Sequence, residues 1–383
     1  MTDADRELVE RAERLHREAL VVDTHSDTTG RFLRDDWDFA ARHADGHMDL
    51  PRMRQGGIDA QFFAVCRAAE AAKGARDLLK HALDMVDAVH QTVRRHGEAM
   101  ALATAAEEVR AIVAQGKLAA LIGIEGGYLI EEDLALLRTY HRLGARYLTL
   151  THGFHTTWAD SSGLGGPIEP KHGGLTDFGR DVVREMNRLG MMVDVSHVAD
   201  STLRDVLEVS SAPVMASHSG CRALADHPRN IPDELIRGIA ERGGVVHVLF
   251  FPMFIDPGKV ESFRGFWPRL AELEARHRDE PDRLAREREA LYQRMTEGRS
   301  PARFIVDHIE HVIELVGDDH VGLGADWDGV SFLPEGMEDC SKLPYVTLEL
   351  LRRGHSEAAI RKVVGENTLR MMGEVERASA PGG

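Results

Sequence analysis

Short apolar runs alternate along this chain with longer stretches in which apolar residues recur at helical spacing. Runs at 19–22, 58–65, 118–124, 146–150, 191–195, 213–216, 245–250 and 320–325 read as strands. Over 73–97, Leu78, Leu79, Leu83, Met85, Val86 and Val89 fall on one helical face. A helix over 104–116 opens on Thr104 with Glu107 three residues later, a capping-box pattern. Further helices are expected over 132–143, 177–189, 201–209, 232–242 (with Pro232 at an early helical position) and 301–316. Two more, over 344–353 and 356–371, close the chain, and 376–383 reads as a flexible tail.

Eight strands separated mostly by helices fit a closed (β/α)8 barrel, but the same rhythm also fits an open doubly wound sheet. The polar residues decide between them. His25 and Asp27, Glu125, His152, His197, His218 and Asp326 stand at the C-terminal ends of the first, third, fourth, fifth, sixth and eighth strands. Strand ends that far apart in order share one mouth only if the sheet closes. The expected fold is therefore an α/β, TIM-like barrel forming one domain over 1–375.

The segment 256–300 breaks the rhythm. Its dense Arg and Glu content reads as solvated helices in an insertion, placed either over the mouth of a site or at an oligomer contact. Length allows a sizeable core without disulfides, and Cys66, Cys221 and Cys340 lack the spacing of a disulfide scaffold or a thiolate zinc site. A formal charge of −16 with no basic patch disfavours a nucleic-acid partner. The first twenty residues carry charges of both signs and no apolar leader core, and no run reaches the ~18 apolar residues of a membrane span. A cytoplasmic address with no membrane partner is the expectation.

In an extended segment residues i and i+2 face the same side, so His25 and Asp27 converge at the end of the first strand. With Glu125, His197 and His218 they make five potential ligands without sulfur, a set suited to zinc, cobalt or manganese. Glu125 lies between the two pairs and has two oxygens. It can bridge one ion held by His25 and Asp27 and a second held by His197 and His218. Three protein ligands per ion leave room for a shared water, as in catalytic sites. Each residue alone has an ordinary reading: a polar strand end, a helix cap at Glu125, an Asx turn at Asp27.

The runs Val22-Asp23-Thr24-His25-Ser26-Asp27, Gly123-Ile124-Glu125-Gly126-Gly127 and Arg146-Tyr147-Leu148-Thr149-Leu150-Thr151-His152 follow one another in order. Then come Val193-Asp194-Val195-Ser196-His197, Ser217-His218-Ser219, His227-Pro228-Arg229-Asn230-Ile231-Pro232-Asp233 and Gly322-Leu323-Gly324-Ala325-Asp326-Trp327-Asp328-Gly329. In this order and spacing the chain resembles the membrane (renal) dipeptidase family of zinc peptidases, within the barrel metallohydrolases. The resemblance implies two zinc ions on His25, Asp27, Glu125, His197 and His218, with Glu125 bridging. It implies that His152 contacts substrate and steadies the oxyanion, that Arg229 grips a free C-terminal carboxylate, and that Asp326 shuttles the proton. Dipeptide substrates, including L-Xaa-D-Xaa, and a homodimer follow from the same resemblance. Tyr128 stands where the mammalian member carries a histidine, which implies an altered pocket wall beside Glu125. A related barrel metallohydrolase acting on another amide, an N-acyl amino acid or a lactone would keep the two-metal centre without needing the carboxylate anchor.

Overall fold

The computed structural model describes residues 2–67, 77–166, 168–278 and 280–379. The strands are β1 Val22–Ser26, β2 Ala60–Cys66, β3 Met100–Leu102, β4 Leu118–Glu125, β5 Ala145–Thr149, β6 Met192–Asp194, β7 Val214–Ser219, β8 Val245–Val248 and β9 Val321–Leu323. All pair in parallel in the order β2-β1-β9-β8-β7-β6-β5-β4-β3, and an added β2–β4 ladder closes the ring. Each of the eight expected strands has its counterpart in this ring. β3 is the one that sequence did not suggest. It pairs with the first half of β4, from Met100 against Leu118, below the point where β5 takes over at Ile122.

Most of the strands are buried continuously rather than on alternate residues because both faces are covered. β4 shows this best: all eight of its residues are buried, the inward ones against the barrel interior and the outward ones against helices. Gly123 in that strand makes room for a ring. A Cβ there would lie 2.0 Å from Tyr147, whose hydroxyl reaches His25 from across the barrel interior.

Outside the ring, the helix Asp177–Leu189 is typical. Thr176 caps its start by accepting from the Gly179 amide, Gly190 ends it in the left-handed region, and Val182, Val183 and Met186 face the sheet. The expected capping box at Thr104 is corrected. The helix begins at Ala106 after Ala105, and it is Glu108, not Glu107, that accepts from the Thr104 amide and hydroxyl. The helix expected from 73 is described as Leu78–Arg95, and 73–76 lie outside the described residues. The expected last helix is two helices, Glu357–Arg361 and Asn367–Ala378, joined by a wider π-turn at Lys362–Glu366. It runs past the expected end because Met372 and Val375 are buried; 380–383, the rest of the expected tail, lie outside the described residues.

The insertion forms helices Pro257–Arg264, Phe266–Arg276 and Pro281–Thr296. They are not simply solvated: Val260, Phe263, Phe266, Leu270 and Leu291 are buried. Among the described residues no helix is long and apolar enough to cross a membrane.

Two buried histidines outside the cluster around Glu125 couple stability to pH. His308 accepts from the Cys221 amide at Nδ1 and donates to the Ile255 carbonyl at Nε2, so a second proton has no acceptor there. His247 bridges the Ala216 carbonyl and the Thr368 hydroxyl. Burial pushes each down to about 4. The unfolded chain therefore takes the proton first: the contribution is fully present above about pH 6.5 and is lost as pH falls through 4, on the order of 2 kcal/mol per histidine by pH 5. Thermal unfolding at pH 7 and pH 5 should show a steep loss in the parent. In His308→Gln the starting stability should be lower but the loss on acidification smaller, and equal losses would discount this linkage.

Candidate metal centre

His25 lies in β1, and the end of that strand is stitched to the segment after β9. Asp27 donates its amide to the Trp327 carbonyl at 2.8 Å, and Asp326 donates to the His25 carbonyl at 3.2 Å. This pairing puts Asp326 beside the first-strand pair, with its Oδ1 3.9 Å from His25 Nε2, while Asp27 Oδ2 is at 3.7 Å. Glu125 ends β4 and points one carboxylate oxygen at four imidazoles. Its Oε1 is 3.1 Å from His197 Nε2, 3.3 Å from His218 Nε2, 3.6 Å from His25 Nε2 and 3.8 Å from His152 Nε2. The structure thus brings all of these expected residues together. Asp27, Glu125, His152, His197, His218, Arg229 and Asp326 line a cavity of about 270 Å³, and His25 lies fully buried beneath it.

The residues behind the imidazoles orient them. With His25 Nδ1–H donated to the Tyr147 hydroxyl at 2.9 Å, Nε2 keeps its lone pair toward the carboxylates. Ser217 donates to Asp194 Oδ2 at 2.6 Å and accepts from His218 Nδ1 at 2.8 Å, which leaves His218 Nε2 facing Glu125. Asp194 is anchored by the Ser196 and Ser217 amides. Asp23 sits below His25 on the same face and accepts from the amides of His25 and Ala325 and from Gln61. Tyr147, Asp194, Ser217 and Asp23 were not singled out in the sequence. Asp23 had a signal, the period-two run Asp23, His25, Asp27; the others are set by contacts across strands.

Several features fit a metal ion. His25 Nε2 is buried with no hydrogen-bond partner. The His197 and His218 Nε2 atoms stand 2.9 Å apart. Together with the nitrogen-to-oxygen separations above, this approaches the ~3.3 Å expected between ligand atoms of a tetrahedral zinc. Donor atoms of His25, Glu125 and His218, and of His25, Asp27 and Asp326, form two compact groups. The second contains Asp326, expected as a proton shuttle, in the place where Glu125 was expected to complete the set. Cys66 at the end of β2 is a further difference: its sulfur forms a third group with Glu125 and His152, although its sequence spacing had argued against a thiolate site.

The electrostatics call for positive charge. Burial opposes charge on His25, but Glu125 and Asp27 outweigh it and hold its pKa well above the usual imidazole range. Burial pushes Asp326 up to about 7, with His25 pulling it down and Asp27 and Glu125 adding to the rise. Burial also holds His152, His197 and His218 below the usual range. His197 and Asp326 both take positive φ, 68° and 66°, so the fold keeps two site residues in a backbone region that L residues rarely occupy. Gly329 matters here too: a Cβ would lie 2.1 Å from Asp326 Oδ1 and 2.2 Å from Asp27 Oδ2.

Arg229 enters from the loop between β7 and the helix Asp233–Glu241. Its guanidinium donates to the Ser219 hydroxyl at 3.0 Å and the His218 carbonyl at 2.7 Å, while Nε is buried without a partner. Burial lowers it to about 10, so it keeps its charge at neutral pH. Tyr128 does not line the cavity. It turns back under the strand end, where its hydroxyl accepts from the Arg67 amide and donates to the Glu125 carbonyl.

Comparison with known proteins shows what the chain as a whole is similar to. A model of the membrane dipeptidases, peptidase family M19, matches residues 9–382. Dipeptidase verJ of Clonostachys rogersoniana is 33% identical over 342 residues, spanning 87% of this chain and 77% of that protein. The probable dipeptidase PvdM of Pseudomonas aeruginosa superposes with a TM-score of 0.84 at 27% identity, over 98% of this chain and 100% of the other. A metallo peptidase of Rhodobacter sphaeroides, crystallised with a phosphinate mimic of the dipeptide L-Ala-D-Ala, superposes with a TM-score of 0.77 at 26% identity, over 93% and 99%. With its barrel, its cluster of histidines and carboxylates at the strand ends and this match along nearly its whole length, the chain belongs to peptidase family M19, the membrane dipeptidases.

Proposed function

We propose that this metal-dependent dipeptidase is a dinuclear zinc enzyme that hydrolyses dipeptides with a free C-terminal carboxylate, including L-Xaa-D-Xaa. The observation that carries the reading is the convergence of four imidazole nitrogens on one oxygen of Glu125, with Asp27 and Asp326 alongside. His25, Asp27 and Glu125 would hold one ion and Glu125, His197 and His218 the other; cobalt or manganese suits the same donors. When bound, the ions supply an acidified water and a Lewis acid for the substrate carbonyl.

The chain's own residues account for the rest. Asp326, at the cavity wall, takes the proton of the attacking water and returns it to the leaving amine. His152, stacked on His197 at 4.3 Å between ring centroids, is held neutral by burial and donates to the oxyanion as it develops. Arg229 donates to the C-terminal carboxylate. A cavity of about 270 Å³ falls just below the usual range of ligand sites, roughly 300–1,000 Å³, which suits a dipeptide rather than a longer peptide. The Rhodobacter sphaeroides relative with its dipeptide mimic supports this substrate class and an L,D acceptance. A single domain, a homodimer and a cytoplasmic address belong to the same proposal.

The test is hydrolysis of L,L and L,D dipeptides, each as acid and as C-terminal amide, by zinc-, cobalt- and manganese-loaded protein and by Arg229→Met. The variant should lose activity on both forms, because the His218 carbonyl and the Ser219 hydroxyl lose a donor. The acid should fall a further ~10–100-fold, since only it loses a charge-assisted pair. Equal losses would make Arg229 a loop-holding residue, and no cleavage of any free dipeptide would overturn the function.

A further inference from the structure

The cavity above the metal cluster has one wall with a composition of its own. Phe251 and Phe254 come from the turn and short helix after β8, and Phe263 and Phe266 come from the insertion. The rings form a connected set. Phe254 meets Phe251 at 5.3 Å and Phe263 at 5.4 Å between centroids, both edge-on, and Phe263 stacks toward Phe266 at 6.2 Å. Phe263 and Phe266 fall on either side of Gly265, where two insertion helices join, and both turn toward the barrel mouth although the surrounding sequence is dense in charge. Among the described residues lining the cavity, everything beyond the metal cluster with His152, and Arg229, is apolar, a glycine or Ser331.

The wall lies next to the carboxylate anchor. Arg229 Cζ sits over the Phe254 ring, 5.9 Å from its centroid. A carboxylate held by Arg229 is one bond from the α-carbon of the residue that bears it, so that residue's side chain starts beside Phe254 and has the other rings within reach. We propose that Phe251, Phe254, Phe263 and Phe266 form the subsite for the second residue of the substrate and select dipeptides whose C-terminal residue is bulky and apolar or aromatic. This rests on the dipeptidase reading above. The physics is one of exclusion as well as attraction. An apolar side chain replaces water against the rings, with edge-on aromatic contacts added for a phenyl group. Among the described residues of that wall a carboxylate would lose its hydration and find no partner, and an ammonium would gain only a cation–π contact against the same loss. The insertion, read from sequence as solvated, thereby contributes two of the four side chains that would set specificity.

The experiment is a series of Ala-Xaa dipeptides, with Xaa Gly, Ala, Leu, Phe, Asp or Lys in both configurations, on the full metal-loaded chain. For the better-accepted configuration, kcat/KM for Leu and Phe should exceed that for Gly, Asp and Lys by roughly tenfold or more. In Phe263→Ala the Phe-over-Gly ratio should fall about tenfold. Because removing a buried ring also costs stability, Phe263→Leu serves as the second variant. It keeps apolar bulk, and should lower the Phe-over-Leu ratio while holding Leu above Gly. The wild-type series stands without either variant: a preference for Gly, Asp or Lys would overturn the subsite, as would ratios unmoved in a folded Phe263 variant. Those results would leave the dipeptidase reading intact. Failure to cleave any member, Ala-Ala included, by protein shown to hold metal would overturn that reading and the subsite with it.

Discussion

Replacing Glu125 by Gln is expected to drop metal content from about two ions per chain to one or none and to cut activity by more than ~10²-fold, beyond what changes in supporting residues usually cost. The side chain keeps its shape, so the barrel should fold. What changes is charge and donor type. Glu125 Oε1 lies within 3.8 Å of all four imidazole Nε2 atoms, and the residue is 2% exposed. An amide offers one weaker oxygen and an NH2 that cannot ligate, so the two ligand pairs, His25 with Asp27 and His197 with His218, lose the anion between them. Metal analysis after gel filtration, with activity measured on the same sample, decides the matter. Two tightly held ions and an unchanged rate would remove Glu125 from the bridge.

The placement of this residue was legible early because parallel strands buried on both faces leave continuous apolar runs, and a polar residue ending such a run stands out. Glu125 after 118–124 and His218 after 213–216 are of this kind. What sequence did not reveal depends on contacts far along the chain. β3 is three residues long, and Ala101 and Leu102 are only half-buried, so no run marks it. Tyr147 reads as one more strand residue until the barrel closes and its hydroxyl meets His25, 122 positions away. Cys66 was set aside for want of a neighbouring cysteine, yet the end of β2 carries it next to Glu125 through the β2–β4 ladder, where the two residues are direct partners. Phe263 and Phe266 were hidden by averaging: each sits on its own helix, one on either side of Gly265, and can turn inward while the charged residues of 256–300 dominate the composition. The exchange of Glu108 for Glu107 at Thr104 is a smaller case, in which a side chain one residue farther on reached the same amide.

Asp326→Asn is expected to keep the fold and the metal content while kcat falls by roughly 10²–10⁴, the scale of a lost acid–base group. The variant is a close steric match in a place with no room to spare, given how near a Cβ on Gly329 would come to the carboxylates of Asp326 and Asp27. Asparagine also tolerates the positive φ of this position better than most residues, and the backbone bond from the Asp326 amide to the His25 carbonyl is untouched. What the amide cannot do is accept a proton from the attacking water and pass it to the leaving nitrogen. If that transfer is the role of Asp326, the loss appears in the transition state, so a dipeptide mimic should bind with little change while kcat and kcat/KM fall together. The geometry also supplies the competing role, since donor atoms of Asp326, His25 and Asp27 fall in one compact group, with Asp326 Oδ1 3.9 Å from His25 Nε2. The two roles separate on one measurement. A variant that loses an ion along with its activity makes Asp326 a ligand, and one that keeps both ions and near-parental kcat ends the proton-shuttle role. Full metal with kcat reduced by two or more orders of magnitude is the result this structure leads us to expect.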